Sequence, residues 1–200
     1  MDEVALISAA QNGDLTAFNR LVLAYQDLIF SLTYRMMGEV DSAEDATQDA
    51  FLSAYRNLRS YRGGSFKAWL MRIATNACYD ELRRRQRRPT IPLEPVNEDD
   101  EEIESPTWIA DPGESPEQAA ERQELNRAIQ YCLEGLPPDF RSVVILVDVQ
   151  GLDYDEAAQA INKPVGTVKS RLARARQRLR DCLQGVGELL PAGFRLVEES

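Results

Sequence analysis

The stretch DYDEAAQAINKPVGTVKSRLARARQRLR, residues 153–180, has the pattern of two helices joined by a short turn. Asp153 and Glu156 have the spacing of a capping box, which begins a helix. We expect the turn at residues 162–164, because Asn162 tolerates a left-handed backbone and Pro164 favours the start of a second helix. The stretch therefore predicts a helix-turn-helix whose second helix has the length to enter the major groove of DNA.

The second of these helices is apolar on one side and basic on the others. Its apolar residues recur at a spacing of three and four: Val165, Val168, Leu172, Ala175 and Leu179. No acidic residue occurs between Ala157 and Arg180. A basic helix face that meets only solvent usually interleaves acids with bases, because such pairs stabilise the helix. Their absence here favours a polyanionic partner and predicts nucleic-acid binding.

The composition excludes several classes of function. The 200 residues are enough for one or two small domains with real cores. No apolar run approaches the ~18 residues of a membrane span, and no signal-peptide pattern is present, so we expect a cytoplasmic protein without membrane insertion. The chain has no histidine, which removes the usual zinc ligand and the commonest general base. We therefore expect no metal, no cofactor, no catalytic residue and no enzymatic activity.

The three cysteines are Cys78, Cys132 and Cys182. They are far apart in the sequence, odd in number, and each lies within a helical pattern. We expect three buried thiols rather than a disulfide or a metal site.

The net charge of −10 is unevenly distributed along the chain. Residues 89–124 contain twelve acids and one base, a net of −11, which leaves +1 for the remainder. The bases of that remainder cluster at residues 83–88 and 163–180. Because the local distribution of charge sets the local potential, the acidic total is compatible with binding DNA.

The helix predicted to follow Gly38 carries an acidic face. Asp41 and Glu44 have the spacing of a capping box, which would open a helix reaching about Leu58. One of its faces presents residues at i, i+3, i+4 and i+7: Asp45, Gln48, Asp49 and Leu52. These acids either compensate the helix dipole or form a surface that docks on another protein.

The next predicted helix runs from Phe66 to about Arg88, with Ser65 as its cap. Its polar face presents Arg72, Asn76, Tyr79, Asp80 and Arg83 beside a glycine-bearing loop. Aromatic, amide and basic groups on one face suit the recognition of unstacked bases. The alternative is a capped helix with a basic last turn, which the helix dipole also favours.

Beyond it, residues 89–115 predict a flexible acidic linker. Ser115 and Pro116 then begin a helix that extends to Glu134, and the Pro137–Pro138 pair breaks it. The apolar residues 140–147 predict a buried helix rather than a strand, because a Pro-Pro-Asp start and a glycine stop flank them.

Four stretches together resemble one family. In chain order they are SAEDATQDAF (42–51), FKAWLMRIATNACYDELRRRQRR (66–88), LPPDFRSVVIL (136–146) and KPVGTVKSRLARARQRL (163–179). They resemble the extracytoplasmic-function (ECF) group of bacterial RNA polymerase sigma factors. The resemblance implies an all-α fold of two small helical domains: sigma region 2 at residues 1–88 and region 4 at residues 116–184. An acidic linker at 89–115 would join them, and residues 185–200 would form a tail.

The same resemblance implies a function, which is to direct promoter-specific initiation by recognising −35 and −10 elements. The implied partners are core RNA polymerase, through its β′ coiled coil and β flap, promoter DNA and an anti-sigma factor. The residues it places at core polymerase are Asp45, Gln48, Asp49, Phe51 and Leu52. Those it places at the −10 element are Arg62, Ser65, Phe66, Asn76, Tyr79, Asp80, Arg83 and Arg84. Those it places at the −35 element are Thr167, Lys169, Ser170, Arg171, Arg174, Arg176 and Arg178.

The main alternative is a helix-turn-helix regulator that binds duplex DNA without polymerase. It explains residues 153–180 but assigns no role to the acidic face or to the polar face of the preceding unit. An RNA-binding module is a weaker alternative, since the basic residues 83–88 have few aromatic neighbours.

Overall fold

The computed structural model describes residues 2–87 and 115–186, and it is helical throughout, with no β-strand in those two ranges. The predicted linker and most of the C-terminal tail lie outside the described residues. The N-terminal unit contains α1 (Glu3–Gln11), α2 (Leu15–Met37), α3 (Val40–Asn57) and α4 (Phe66–Arg87). The C-terminal unit contains α5 (Pro116–Glu134), α6 (Pro138–Val144), α7 (Tyr154–Ile161) and α8 (Val165–Gly185).

The N-terminal unit packs α3 and α4 against the long α2. Asp14 caps α2 by accepting from the backbone N–H groups of Thr16 and Ala17. The inward face of α3 consists of small residues, which let its backbone approach its neighbours closely: Ala43, Ala46, Ala50 and Ala54. This narrow face leaves the opposite face of α3, with its acids, directed away from the core.

The start of α3 differs from the prediction. The helix begins at Val40 after Glu39, so Asp41 already lies in its first turn and the predicted Asp41–Glu44 capping box is wrong. Gly38 ends α2 in the left-handed conformation with φ of 82°, and the chain enters α3 within two residues. The side chain of Glu39 makes no cap bond, because its carboxylate accepts from Ser42 and Arg85 instead.

The C-terminal unit confirms the helix-turn-helix. Asp153 and Glu156 form the predicted capping box, and Asn162 ends α7 in the left-handed conformation with φ of 52°. The predicted cap at Ser115 is also formed, with Gln118 as its partner. The apolar residues 140–147 are helical as expected, although the last turns widen into a π-helix at Ile145–Val149.

The expectation of three buried thiols is wrong for two of them. Cys132 and Cys182 form a disulfide with their Cα atoms 5.8 Å apart, while Cys78 is a buried free thiol. Helical periodicity correctly places both bonded residues in helices. The sequence does not show that the ends of α5 and α8 lie side by side, and this packing of the two helices brings the cysteines together.

The two units pack against each other and share one hydrophobic core. The largest contact lies between α4 and α7, and α2 also touches α5 and α6. Four hydrogen bonds join the two units within the described residues, and the longest runs from Gln150 Nε2 to the Ser31 hydroxyl at 3.4 Å. Arg141 Nη1 donates to the Met36 carbonyl at 2.6 Å, Lys67 Nζ donates to the Gln150 carbonyl at 2.5 Å, and the hydroxyls of Tyr79 and Ser142 lie 2.7 Å apart.

Arg141 is the buried charge of this interface, with 8% of its surface exposed. Its Nη2 donates to the carbonyls of Glu134 and Leu136 at 2.6 and 3.2 Å, in addition to the bond to Met36. Burial lowers the pKa of the guanidinium, and the nearby Glu134 raises it. One side chain thus satisfies carbonyls at the ends of α2 and α5, where helices leave them without partners.

Arg141→Met should lower the free energy of unfolding by about 2–4 kcal/mol, since it orphans three carbonyls that the guanidinium satisfies. Urea denaturation followed by circular dichroism measures the change. The matched control is Arg83→Met, because Arg83 is exposed and pairs only with the equally exposed Asp80. That substitution should cost less than about 0.5 kcal/mol. Equal losses in the two variants would show that Arg141 does not hold the interface.

Candidate polymerase and promoter interfaces

The outer surface of α8 is the candidate DNA-reading surface. Val168, Leu172 and Ala175 are buried and fix which side of the helix faces inward. The side chains turned to solvent include most of the predicted −35 residues: Lys169, Ser170, Arg174, Arg176 and Arg178. Thr167 and Arg171 are partly covered. The structure therefore places all seven predicted −35 residues on the exposed or half-exposed part of one helix.

Four of the basic residues on α8 are held by neighbours in the same unit. Arg171 pairs with Asp139 at 2.6 Å, and Arg176 forms a two-point contact with Asp148 at 2.9 and 2.5 Å. This hydrogen bond to Asp148 raises the pKa of Arg176. Arg178 lies over the ring of Phe140, and Lys169 lies over the ring of Tyr154. Such contacts orient the cations before any DNA is bound.

The acidic face of α3 is exposed as predicted. Asp45, Gln48 and Asp49 are open to solvent, and Leu52 is 46% exposed beside them. Phe51 is half-buried and packs against the core, so it supports this face from beneath. The exposed leucine beside these acids makes this face of α3 a candidate protein-docking surface.

A groove of about 510 Å³ lies between α3 and α4. Its α4 wall carries Arg72, Asn76, Asp80 and Arg84, and its α3 wall begins at Asp49. The carboxylates of Asp45 and Asp49 contribute to the raised pKa of Arg84, after the larger effect of its bond to Glu81. One predicted polymerase residue, Asp49, thus lines the same groove as three predicted −10 residues: Asn76, Asp80 and Arg84.

Sequence reasoning missed several polar residues of this groove, among them Ser53 and Asn57. The signal was present, because both continue the i,i+4 row that starts at Asp49. The predicted loop residues Arg62 and Ser65 are exposed, as is Arg83. Ser65 caps α4 by accepting from the N–H of Ala68 at 3.1 Å, which confirms the expected cap.

Two predicted −10 residues lie elsewhere. Phe66 is 1% exposed and sits in an aromatic cluster with Tyr25, Tyr61 and Trp69. Tyr79 faces the C-terminal unit, where its hydroxyl bonds to Ser142. Burial raises the pKa of Tyr79 to about 12, and its bond to Ser142 opposes that shift. In this arrangement neither ring is available to a base.

A helix-turn-helix with a basic second helix, together with a separate exposed acidic face, is typical of a helical transcription protein. Residues 21–88 match the family Sigma-70 region 2, and residues 126–179 match Sigma-70, region 4. The RNA polymerase sigma-H factor of Pseudomonas aeruginosa is 39% identical over 90% of this chain and 92% of its own. The ECF RNA polymerase sigma factor SigW of Bacillus subtilis is 37% identical over 89% of this chain and 95% of its own.

A longer relative is the ECF RNA polymerase sigma factor SigE of Mycolicibacterium smegmatis. It is 38% identical over 84% of this chain, and the match covers 62% of the relative's own length. Two solved structures have the same fold. The Bartonella quintana sigma factor RpoE, solved with the anti-sigma factor NepR, superposes with a TM-score of 0.63 at 28% identity, covering 84% of this chain and 98% of its own. CnrH, solved with the cytosolic domain of CnrY, superposes with a TM-score of 0.64 at 25% identity. The match covers 92% of this chain and 97% of the CnrH chain.

The chain belongs to the ECF group of the sigma-70 family. It is a sigma factor, which binds RNA polymerase and directs promoter-specific initiation of transcription. No helix within residues 2–87 and 115–186 is long and apolar enough to cross a membrane.

The buried phenol of Tyr79 predicts a pH dependence of stability. Its folded pKa of about 12 exceeds the value near 10 of an exposed tyrosine, so the folded state holds the proton more tightly than the unfolded chain. The resulting stabilisation is complete below about pH 10 and is lost as the pH rises towards 12. Urea unfolding at a series of pH values between 10 and 12 should therefore show that the free energy of unfolding falls more steeply with pH for the wild type than for Tyr79→Phe.

The control for this comparison is Tyr131→Phe, which removes the hydroxyl of a tyrosine that is 66% exposed. In this variant the free energy of unfolding should fall with pH as steeply as in the wild type. Parallel losses in the wild type and in Tyr79→Phe would contradict the assignment of a buried, proton-holding phenol at the interface.

Proposed function

We propose that region 2, residues 1–88, docks on core polymerase through the acidic face of α3. The contacting residues are Asp45, Gln48, Asp49 and Leu52, and Phe51 holds their helix in place from the core side. The observation that supports this is the exposure of a leucine among carboxylates on a face that packs against nothing else in the described residues. The complementary surface on the polymerase β′ coiled coil would supply basic groups.

The −10 element would bind at the groove between α3 and α4 and at the loop before α4. Asn76, Asp80 and Arg84 offer amide, carboxylate and guanidinium groups to a base edge, while Arg62, Ser65 and Arg83 lie where a backbone phosphate can reach them. Flipping a base costs a few kcal/mol of stacking, which such contacts must offset. Phe66 would act from the core by anchoring the loop through its contact with Tyr61.

Region 4, residues 116–184, would read the −35 element with α8. Lys169, Ser170, Arg171 and Arg174 lie in the N-terminal half of the helix, the part that contacts base edges in a helix-turn-helix. Thr167 lies at its start, and Arg176 and Arg178 lie further along it; these three would bind phosphates. Arg171 would exchange Asp139 for DNA on binding.

The contact between the two units must open when the promoter is bound. The −35 and −10 elements are roughly 85 Å apart, because each of the about 25 intervening base pairs rises about 3.4 Å. A compact body of this size is about 40 Å across, so the closed arrangement cannot reach both elements. Opening also frees Tyr79 from Ser142 and returns its ring to the polar face of α4, where it was predicted to meet the −10 strand.

We place the protein in the cytoplasm with the polymerase it serves. Two structural neighbours were solved in complexes, RpoE with the anti-sigma factor NepR and CnrH with the cytosolic domain of CnrY. By analogy, this chain would also be held inactive by an anti-sigma protein. The contact between the two units supports this proposal, because a partner could then cover regions 2 and 4 together.

The test of the docking face is transcription in vitro from a pool of promoter fragments with bacterial core polymerase. Asp49→Ala should weaken binding to core polymerase about tenfold, because it removes a charge from the centre of the proposed interface. Asp41→Ala removes an equally exposed charge from the first turn of the same helix and should have no effect. The proposal fails if core polymerase never gains promoter specificity while the protein alone binds a duplex site tightly.

A second test addresses the −35 element. Arg174→Ala should reduce discrimination between the preferred −35 sequence and its single-base variants, at a cost of about 1–3 kcal/mol for one position. Arg180→Ala, near the end of the same helix, should weaken binding to all sequences alike. Competition experiments at one fixed salt concentration measure both effects. A uniform loss for Arg174→Ala would assign it to phosphate contact instead.

A further inference from the structure

Cys132 and Cys182 form a disulfide that joins α5 to α8 within region 4. We propose that they form a reversible redox site, at which oxidation holds region 4 closed on region 2 and reduction lets the two regions separate. The proposal rests on the function proposed above, since opening is what promoter binding requires. It assigns a chemical role to two residues that belong neither to the DNA-reading surface nor to the docking face.

The geometry allows the bond to form without moving the backbone. The Cα atoms of Cys132 and Cys182 are 5.8 Å apart, within the usual range for a disulfide. The residues are separated by 50 positions, so the bond encloses α6, α7 and nearly all of α8 in one covalent loop. In a reducing compartment disulfides are rare, and those that occur usually take part in catalysis or redox sensing. The proposed location in the cytoplasm therefore favours a reversible bond over a permanent one.

The two cysteines differ in exposure, which indicates that an oxidant reaches Cys182 first. Cys132 is 2% exposed, whereas Cys182 lies half-buried in the last turns of α8. A peroxide would oxidise the thiol of Cys182 to a sulfenic acid and release one water. The thiol of Cys132 then displaces the hydroxyl as a second water, so two thiols and one peroxide give one disulfide and two waters. A cellular dithiol reverses the reaction by thiol–disulfide exchange and is itself oxidised.

The disulfide is coupled to the domain interface through the last turn of α5. Two residues after Cys132, the carbonyl of Glu134 accepts a hydrogen bond from Arg141 Nη2 at 2.6 Å. The other arm of this guanidinium donates to the Met36 carbonyl at the end of α2 in region 2. The side chain of Glu134 also packs against Gly38, where even a Cβ atom would lie 2.3 Å from its carboxylate oxygen. The turn that carries Cys132 is thus one of the places where region 4 meets α2.

Oxidation therefore favours closure. The bond to Cys182 fixes the last turn of α5 on α8, and α8 is held in turn by α6 and α7. With the disulfide present, α5 and α7 keep the spacing that lets them contact α2 and α4 at the same time. Reduction removes the covalent link between α5 and α8 and leaves only their packing contacts, so the turn that supports Arg141 gains freedom and the two contacts with region 2 become less tightly coupled.

Cys78 provides a matched control within the same chain. It is fully buried in region 2, and burial raises the pKa of its thiol to about 12, so it stays protonated and inert to oxidants near neutral pH. An effect of oxidant that persists in Cys78→Ala and disappears in Cys132→Ser or Cys182→Ser belongs to the disulfide.

The experiment compares the protein treated with hydrogen peroxide and with a dithiol reductant. The number of free thiols in the denatured protein should be one after oxidation and three after reduction, and the change should be reversible. Small-angle X-ray scattering of the free protein should show a smaller radius of gyration for the oxidised form. Transcription in vitro with core polymerase should fall about fivefold on oxidation and recover on reduction. The single serine variants should behave as the reduced wild type under both treatments, with circular dichroism confirming that they are folded.

A disulfide that resists the dithiol, or equal scattering and equal transcription in both forms, would overturn the proposal and leave the bond a structural one. If neither form supports transcription, the proposed function fails. The scattering comparison then decides the redox switch alone, because it needs neither polymerase nor DNA.

Discussion

The closed arrangement of this sigma factor depends on one buried guanidinium. Arg141 joins the end of α2, the end of α5 and the turn before α6 through three carbonyls, and its charge is compensated by no facing carboxylate within hydrogen-bond reach in the described residues. Charged hydrogen bonds of this kind are worth more than neutral ones, and breaking them leaves a buried charge without partners. Arg141 therefore stabilises the closed arrangement through its two Nη groups, while its buried Nε has no hydrogen-bond partner in the described residues.

The same interface divides the functional surfaces into two groups. The acidic face of α3 and the outer side of α8 are exposed in the closed form, so neither depends on opening for access. Tyr79, by contrast, points into region 4. The groove between α3 and α4 lies on the accessible side. The contacts that close the molecule thus cover part of the proposed −10 surface and leave the proposed polymerase-docking face exposed.

Local signals in the sequence were sufficient for most of the fold. The capping boxes at Ser115 and Asp153, the left-handed Asn162 and the cap at Ser65 each depend on a few neighbouring residues, and all were predicted. The two wrong predictions, the start of α3 and the state of Cys132 and Cys182, each depend on residues that are distant in the sequence. Glu39 binds Arg85 from α4, which shifts the start of α3, and Cys132 meets Cys182 only after α5 packs on α8. Phe66 and Tyr79 carry the right chemistry for bases, but tertiary packing decides which way their rings point.

The ion pairs on α8 explain how an acidic protein can present a basic helix. Asp139 and Asp148, both in the preceding α6 and π-helical segment, neutralise Arg171 and Arg176 while no DNA is present. Exposed pairs of this type contribute little to stability, so exchanging a carboxylate for a phosphate costs little. The pairing also holds each guanidinium in one orientation and reduces the entropy lost on binding. Asp139 and Asp148 therefore hold Arg171 and Arg176 in one orientation and neutralise them only until the proposed contact with DNA replaces the carboxylates.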